Sequence, residues 1–292
     1  MHIPNFMCIG AAKSGTTSLY DILRQHSDIF LPSFKEPHFF DIPSNYEKGI
    51  KWYRDTYFSR LKAEKSIGDF TPTYLFDEDA PQRIYNDLGG GVKFIVILRN
   101  PVDRAYSHYL HSKRDEHESL TFIDALCLER NRVSKKDYLS YLRFSYIGQG
   151  MYGQMLKRYL RFFPKENFLI INFEQEFLTK RKETIDRIIS FLELDIEDLV
   201  VNLASNRASI ARSIWLKRLM KRTGIWRKIF RYITPSLKVR QIIRNKIQRL
   251  NLKEFTPEKI GPQERESIFN IYFKSDVMDL ESLFNKQMHW GK

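Results

Sequence analysis

Phe6-Met7-Cys8-Ile9, running directly into Gly10-Ala11-Ala12-Lys13-Ser14-Gly15-Thr16-Thr17-Ser18, is the stretch that decides how this chain is read. The apolar run predicts a short buried strand from about Ile3 to Ile9. From Thr16 to about Gln25, Leu19, Ile22 and Leu23 recur at helical spacing. A strand, a glycine loop and a helix in that order form an arrangement that binds phosphate. Small loop residues let backbone N–H groups approach the anion, and the helix N-terminus adds positive potential. Ser14, Thr16, Thr17 and Ser18 supply hydroxyl donors, and Lys13 supplies a full charge. A tight turn with no ligand is the plain alternative. The lysine and the density of hydroxyls weigh against it.

A nucleoside triphosphatase loop carries its lysine after the second glycine, as G-x-x-x-x-G-K-[ST]. Here Lys13 precedes Gly15. Phosphoryl transfer also calls for an acidic residue at a later strand end to hold magnesium. The clearest later strand, Lys93-Phe94-Ile95-Val96-Ile97-Leu98, ends instead in Arg99, a cation that suits a second phosphate better than a metal. Pro101 marks a helix start, and Ser107 lies on that helix. The spacing lets the Arg99 guanidinium and the Ser107 hydroxyl converge on one phosphate.

Further strands are expected at Ser66–Phe70 and Phe168–Phe173. Helices are expected at about 16–25, 101–113, 152–163, 182–192 and 263–284, with a proline-punctuated loop over 31–41. Strands alternating with helices imply parallel βαβ units and an α/β fold. The expected organisation is a single domain over 1–292, with a basic helical embellishment at about 207–249.

Taken together, the glycine loop and Arg99-Asn100-Pro101-Val102-Asp103-Arg104-Ala105-Tyr106-Ser107-His108-Tyr109 resemble the two donor-binding motifs of the sulfotransferase superfamily that uses 3′-phosphoadenosine 5′-phosphosulfate (PAPS). Lys35-Glu36-Pro37-His38-Phe39-Phe40-Asp41, Gly68-Asp69-Phe70-Thr71-Pro72-Thr73-Tyr74, Gly150 to Leu156 and Asp276 to Trp290 resemble further segments of that family, so the likeness covers nearly the whole chain. It is closer to bacterial and heparan-sulfate-type carbohydrate sulfotransferases than to the small-phenol and steroid enzymes. The resemblance implies a P-loop-kinase-like, three-layer fold with a central parallel sheet of about five strands. It also implies PAPS as co-substrate, leaving as adenosine 3′,5′-bisphosphate. Carried over, Lys13, Ser14, Gly15, Thr16, Thr17 and Ser18 hold the 5′-phosphosulfate, while Arg99 and Ser107 hold the 3′-phosphate. Arg207 is a weaker donor-site candidate. Heparan 3-O-sulfotransferases have a lysine just before the Thr-Pro pair, where this chain has Phe70, so that residue's role is not carried over.

Sulfonyl transfer needs in-line geometry, charge neutralisation on the leaving phosphate, and a base for the incoming hydroxyl. Lys13 is placed to stabilise the leaving phosphate without a metal. Glu36 aligns with the family's catalytic glutamate and is the candidate base. Burial against Phe39 and Phe40 is expected to raise its pKa. His38 is the second candidate, because imidazole titrates near neutrality. The expected acceptor is a hydroxyl or amine on a carbohydrate, a glycolipid or a small molecule.

Two cysteines, Cys8 and Cys127, make no disulfide framework. The net charge of +13 is local: 207–249 carries 14 Lys/Arg and no Asp/Glu, which leaves 34 basic and 35 acidic residues elsewhere. Its apolar residues, such as Ile214, Trp215, Trp226 and Phe230, interleave with cations at amphipathic helical spacing. Three readings compete: a solvated helical cap, a wall for an anionic glycan, or docking on an anionic membrane. A nucleic-acid-binding protein would leave both phosphate sites unexplained, and a degenerate, nucleotide-binding relative would not be expected to keep the motif residues intact. No run reaches the roughly 18 apolar residues of a membrane span. The first strand starts near residue 3, so a cytoplasmic protein is expected, peripheral at the membrane if the basic segment docks there.

Overall fold

A computed structural model of the chain describes residues 3–133, 137–202, 209–211, 252–254 and 260–291. Strand β1 (Phe6–Gly10) leads into α1 (Thr16–Leu23), the edge strand β2 (Ile29–Phe30), α2 (Pro43–Tyr46) and α3 (Gly49–Tyr57). Then come β3 (Ser66–Phe70), α4 (Ala80–Leu88), β4 (Lys93–Leu98) and α5 (Pro101–Arg114). Helices α6 (Phe122–Cys127), α7 (Glu129–Arg132), α8 (Tyr138–Phe144) and α9 (Tyr152–Tyr159) precede β5 (Phe168–Asn172). A π-helical turn at Phe173–Leu178 and α10 (Arg181–Phe191) follow. Strands β6 (Ser209–Ala211) and β7 (Leu252–Glu254) pair antiparallel, and α11 (Pro262–Ile268) and α12 (Lys274–Phe284) come last.

The main sheet has five strands in the order β2-β3-β1-β4-β5, and every pairing in it is parallel. Its strands are apolar on both faces because helices cover both. Along β4, Phe94, Val96 and Leu98 enter one core while Ile95 and Ile97 enter the other. Along β1, Met7 and Ile9 separate from Phe6 and Cys8 in the same way. The result is the expected three-layer α/β arrangement. β1 lies at the centre, and the chain leaves it toward β2 on one side but leaves β4 toward β5 on the other. In such sheets ligands bind outside the carboxyl ends of the strands at this reversal. The glycine loop and Arg99 both lie there.

Several boundaries differ from the sequence reading. β2 was not anticipated, since two residues carry no usable period. The expected 263–284 helix is interrupted by a π-helical stretch at Phe269–Phe273. Most of 207–249 lies outside the described residues, Arg207 included. Where it is described, at Ser209–Ala211, the backbone is strand rather than amphipathic helix. No helix among the described residues is long and apolar enough to cross a membrane.

The C-terminal segment is tied to the sheet by specific bonds. The Asp276 carboxylate accepts from the N–H groups of Gly153 and Gln154 at 2.8 and 2.9 Å, which caps α9. A Cβ on Gly153 would stand 2.6 Å from the Asp276 carbonyl oxygen. Alanine's better helix propensity, worth ~1 kcal/mol, is therefore outweighed by the clash. Gly153→Ala should destabilise the protein by roughly 1–3 kcal/mol, read as a lower urea midpoint. An unchanged midpoint would mean that α12 can retreat.

Candidate active site

The loop after β1 is held from below and from the side. The Ala11 N–H donates to the Ile97 carbonyl at 2.7 Å, and the Ser14 N–H donates to the Ala11 carbonyl at 3.2 Å. Lys13 and Gly15 both adopt positive φ, at 70° and 85°. At Gly15 a Cβ would meet the Phe173 ring at 2.8 Å, so this position needs glycine for space as well as for conformation. α1 starts at Gly15 with no side-chain cap and no acidic residue in its first turn. The N-terminal N–H groups are thus left to a ligand. The Ser14 hydroxyl is fully buried and has no hydrogen-bond partner among the described residues. A buried hydroxyl without a partner is costly, and this one fits the loop as an anion cradle. Thr16 is buried, Ser18 half-buried and Thr17 exposed.

Arg99, directly after β4, donates from Nη1 to the Lys13 carbonyl at 3.2 Å. Its guanidinium lies 5.4 Å from the centre of the Phe173 ring, the same ring that packs against Gly15. Tyr152 donates its hydroxyl to the Arg99 carbonyl at 3.0 Å. α5 begins at Pro101 behind an Asn100 cap, whose Oδ1 accepts from the N–H groups of Val102 and Asp103. Ser107 sits half-buried in the second turn of that helix. The two predicted donor motifs are therefore brought together, joined by one hydrogen bond. Lys13 loses proton affinity to burial and then to the nearby Arg114, which bring its pKa down to about 8.

The Glu36 loop runs alongside. Glu36 and His38 both take positive φ, at 64° and 51°, while Phe39 and Phe40 are fully buried behind them. Lys35 donates to Glu36 Oε1 at 2.6 Å, and His38 Nε2 lies 3.7 Å from Glu36 Oε2. On its other side His38 Nδ1 stands 2.9 Å from Asp41 Oδ2, an oxygen that also accepts from Thr73 and Tyr138. The expectation for Glu36 is corrected here. Burial does push its pKa up, but hydrogen bonding to His38 and the charge of Lys35 outweigh it and hold the carboxyl near pKa 2. His38 is corrected likewise: burial lowers its pKa, yet Asp41 and Glu36 raise it to about 10, so the free protein holds an imidazolium.

Phe70 points away from the site into the core around Phe6 and Tyr20. Its neighbour Asp69 is fully buried toward the site side. Burial raises it to about 6, against hydrogen bonds from Thr71, Tyr53 and Tyr74. Tyr74 also accepts from the Phe39 N–H, so Asp69 braces the Glu36 loop from below. Asp41, Thr73 and Tyr138 were not assigned from sequence, and Asp69 was weighed there only as a minor positioning residue. The spacing of His38 and Asp41, three apart, was the one usable signal.

A cavity of about 280 Å³ opens beside Lys13, lined by Thr73, His108, Ser112, Arg143 and Gln149 among others. A hollow of about 590 Å³ next to β5 excludes the glycine loop, and its Arg187 and Lys286 are already paired with Glu176.

Residues 4–233 match the family model described as "Sulfotransferase domain". Heparan sulfate glucosamine 3-O-sulfotransferase 5 of Mus musculus is 31% identical over 199 residues, 66% of this chain and 54% of that protein. Heparan sulfate glucosamine 3-O-sulfotransferase 3B1 of Mus musculus is 37% identical over 178 residues, 59% of this chain and 42% of that protein. The chain thus spans about half the length of the curated relatives it matches. The crystal structure of a sulfotransferase from Alicyclobacillus acidocaldarius superposes with TM-score 0.71 and 27% identity, covering 100% of both chains.

Because His38 is held above its ordinary value of 6.5, its stabilising contribution is fully present below pH 6.5 and is lost as pH rises through about 10. Urea midpoints measured across that interval should fall less in His38→Asn than in the wild type. Parallel decline in both proteins would contradict the ion-paired imidazolium.

Proposed function

For a chain that belongs to the sulfotransferase family, we propose transfer of a sulfonyl group from PAPS to a carbohydrate hydroxyl, with adenosine 3′,5′-bisphosphate released. The observation that carries this reading is the bond from Arg99 to the Lys13 carbonyl, which sets a strand-end guanidinium beside a glycine loop at a bare helix N-terminus. A donor with phosphate at both its 3′ and 5′ positions matches two cationic sites so joined. The names of the heparan sulfate glucosamine 3-O-sulfotransferase relatives support the choice of a carbohydrate acceptor.

PAPS, when bound, supplies the activated sulfonyl group. The protein's part is to bind, orient and move one proton. Residues Ser14 to Ser18 offer N–H and hydroxyl donors to the 5′-phosphosulfate, and Lys13 neutralises charge on the leaving phosphate. Arg99 and Ser107 receive the 3′-phosphate. Glu36 accepts the acceptor's proton, and His38, fixed by Asp41, orients the carboxylate. A carboxylate held near pKa 2 is a weak base. In a loose transition state the hydroxyl proton leaves late, once bonding to sulfur has acidified it, and a weak base then suffices.

Transfer from radiolabelled PAPS to heparan-type oligosaccharides tests the reading directly. Glu36→Gln should lower kcat by about 10²–10⁴-fold with donor affinity nearly intact, and full activity in that variant would remove Glu36 as base. Lys13→Ala should lower kcat by on the order of 10²–10³-fold, and an unchanged kcat would take Lys13 out of the mechanism.

A further inference from the structure

His108 follows Ser107 on α5 but is not used by the donor and base assignments above. Its side chain is 8% exposed and lines the cavity beside Lys13. The ring packs edge-on against Tyr146, with centres 5.0 Å apart. Its Nδ1 is buried and has no hydrogen-bond partner among the described residues. One turn earlier, Arg104 is fully buried. Its Nη2 donates to the Tyr146 carbonyl, but its Nε and Nη1 are likewise without partners. A buried ring nitrogen left unsatisfied is costly, and at His108, on the cavity wall, this suits a site completed by a ligand.

The charges facing this ring are mostly positive. Lys13 approaches from the glycine loop, and Arg104 and His111 from its own helix. Arg143, His117 and the carboxylate-bearing Asp115 line the same cavity. Burial, then Arg104, Lys13 and His111, push the imidazole well below its ordinary pKa, so the ring is neutral in the free protein. Thr73, also on the cavity wall, reaches across to Asp41 and His38. The cavity therefore lies between Lys13 and the Glu36 loop, where a group in transit between donor and acceptor would pass.

We propose that His108 is a binding residue for the sulfonyl end of the donor, hydrogen-bonding a sulfonyl oxygen and taking one proton from solvent as that negative charge arrives. No covalent bond forms at the ring. When the sulfated product leaves, the proton returns to solvent. The inference rests on the PAPS reading above.

Calorimetric titrations in buffers of differing ionisation heat, between about pH 5.5 and 7, count the protons taken up on binding. The 5′-phosphate of adenosine 3′,5′-bisphosphate is a monoester that titrates at about pH 6, so each ligand is compared between wild type and His108→Asn, where its own protons cancel. With PAPS the wild type should take up more protons than His108→Asn, and with the bisphosphate the two proteins should agree, affinity included. A PAPS uptake that is the same in both proteins, or an equal loss of uptake with both ligands, overturns the proposal. Nitrogen NMR of the His108 ring in the wild-type protein covers the case where the variant fails to fold. A ring that shifts to the protonated form with PAPS supports the inference, and one that stays neutral refutes it. If neither ligand binds, the donor reading itself falls, which is a separate outcome.

Discussion

A single hydrogen bond, from the Arg99 guanidinium to the Lys13 carbonyl, links the segments that follow two adjacent parallel strands, at the point where the strand order switches sides. The bond does more than close a loop. It holds the Lys13 peptide just before α1, whose N-terminus carries no side-chain cap. It also stations a permanent cation beside that peptide. The Phe173 ring completes the arrangement, since one face of space is shared by the guanidinium and by Gly15. Any side chain at residue 15 would displace that ring and, through it, the arginine.

Charge is arranged differently on the opposite side of the cleft. There Lys35, Glu36, His38 and Asp41 alternate in sign along one loop, and each neutralises its neighbour. Two non-glycine residues in the left-handed region, Glu36 and His38, cost conformational energy on the order of 1 kcal/mol or more each. Buried Phe39 and Phe40 and the Asp69–Tyr74 bonds beneath them offset that cost. The site thus sets Lys13 and Arg99 on one wall and the charge-paired loop of Lys35, Glu36, His38 and Asp41 on the other.

Much of the scaffold was legible from local pattern. The apolar runs at Phe6–Ile9, Lys93–Leu98 and Phe168–Asn172 are strands because a parallel sheet covered on both faces requires continuous hydrophobicity. Pro101 and Asn100 announced the start of α5 through their own chemistry. The two-residue edge strand β2 and the π-helical interruption at Phe269–Phe273 were not legible, because neither is dictated by periodicity. Glu36 and His38 were identified as chemistry-bearing residues, yet their protonation was misjudged, since it depends on Lys35, Asp41, Thr73 and Tyr138 meeting around them.

The sequence by itself determined that a glycine loop with an internal lysine follows a buried strand, that an arginine ends a second strand, and that both belong to one parallel α/β fold. Strand runs, helix spacing and loop composition are local properties, and they survive without knowledge of what lies opposite. Only the tertiary structure decided which way each charge is poised. It made Glu36 a held carboxylate, His38 an imidazolium and His108 a neutral ring, because pKa values answer to burial and to neighbours distant in sequence.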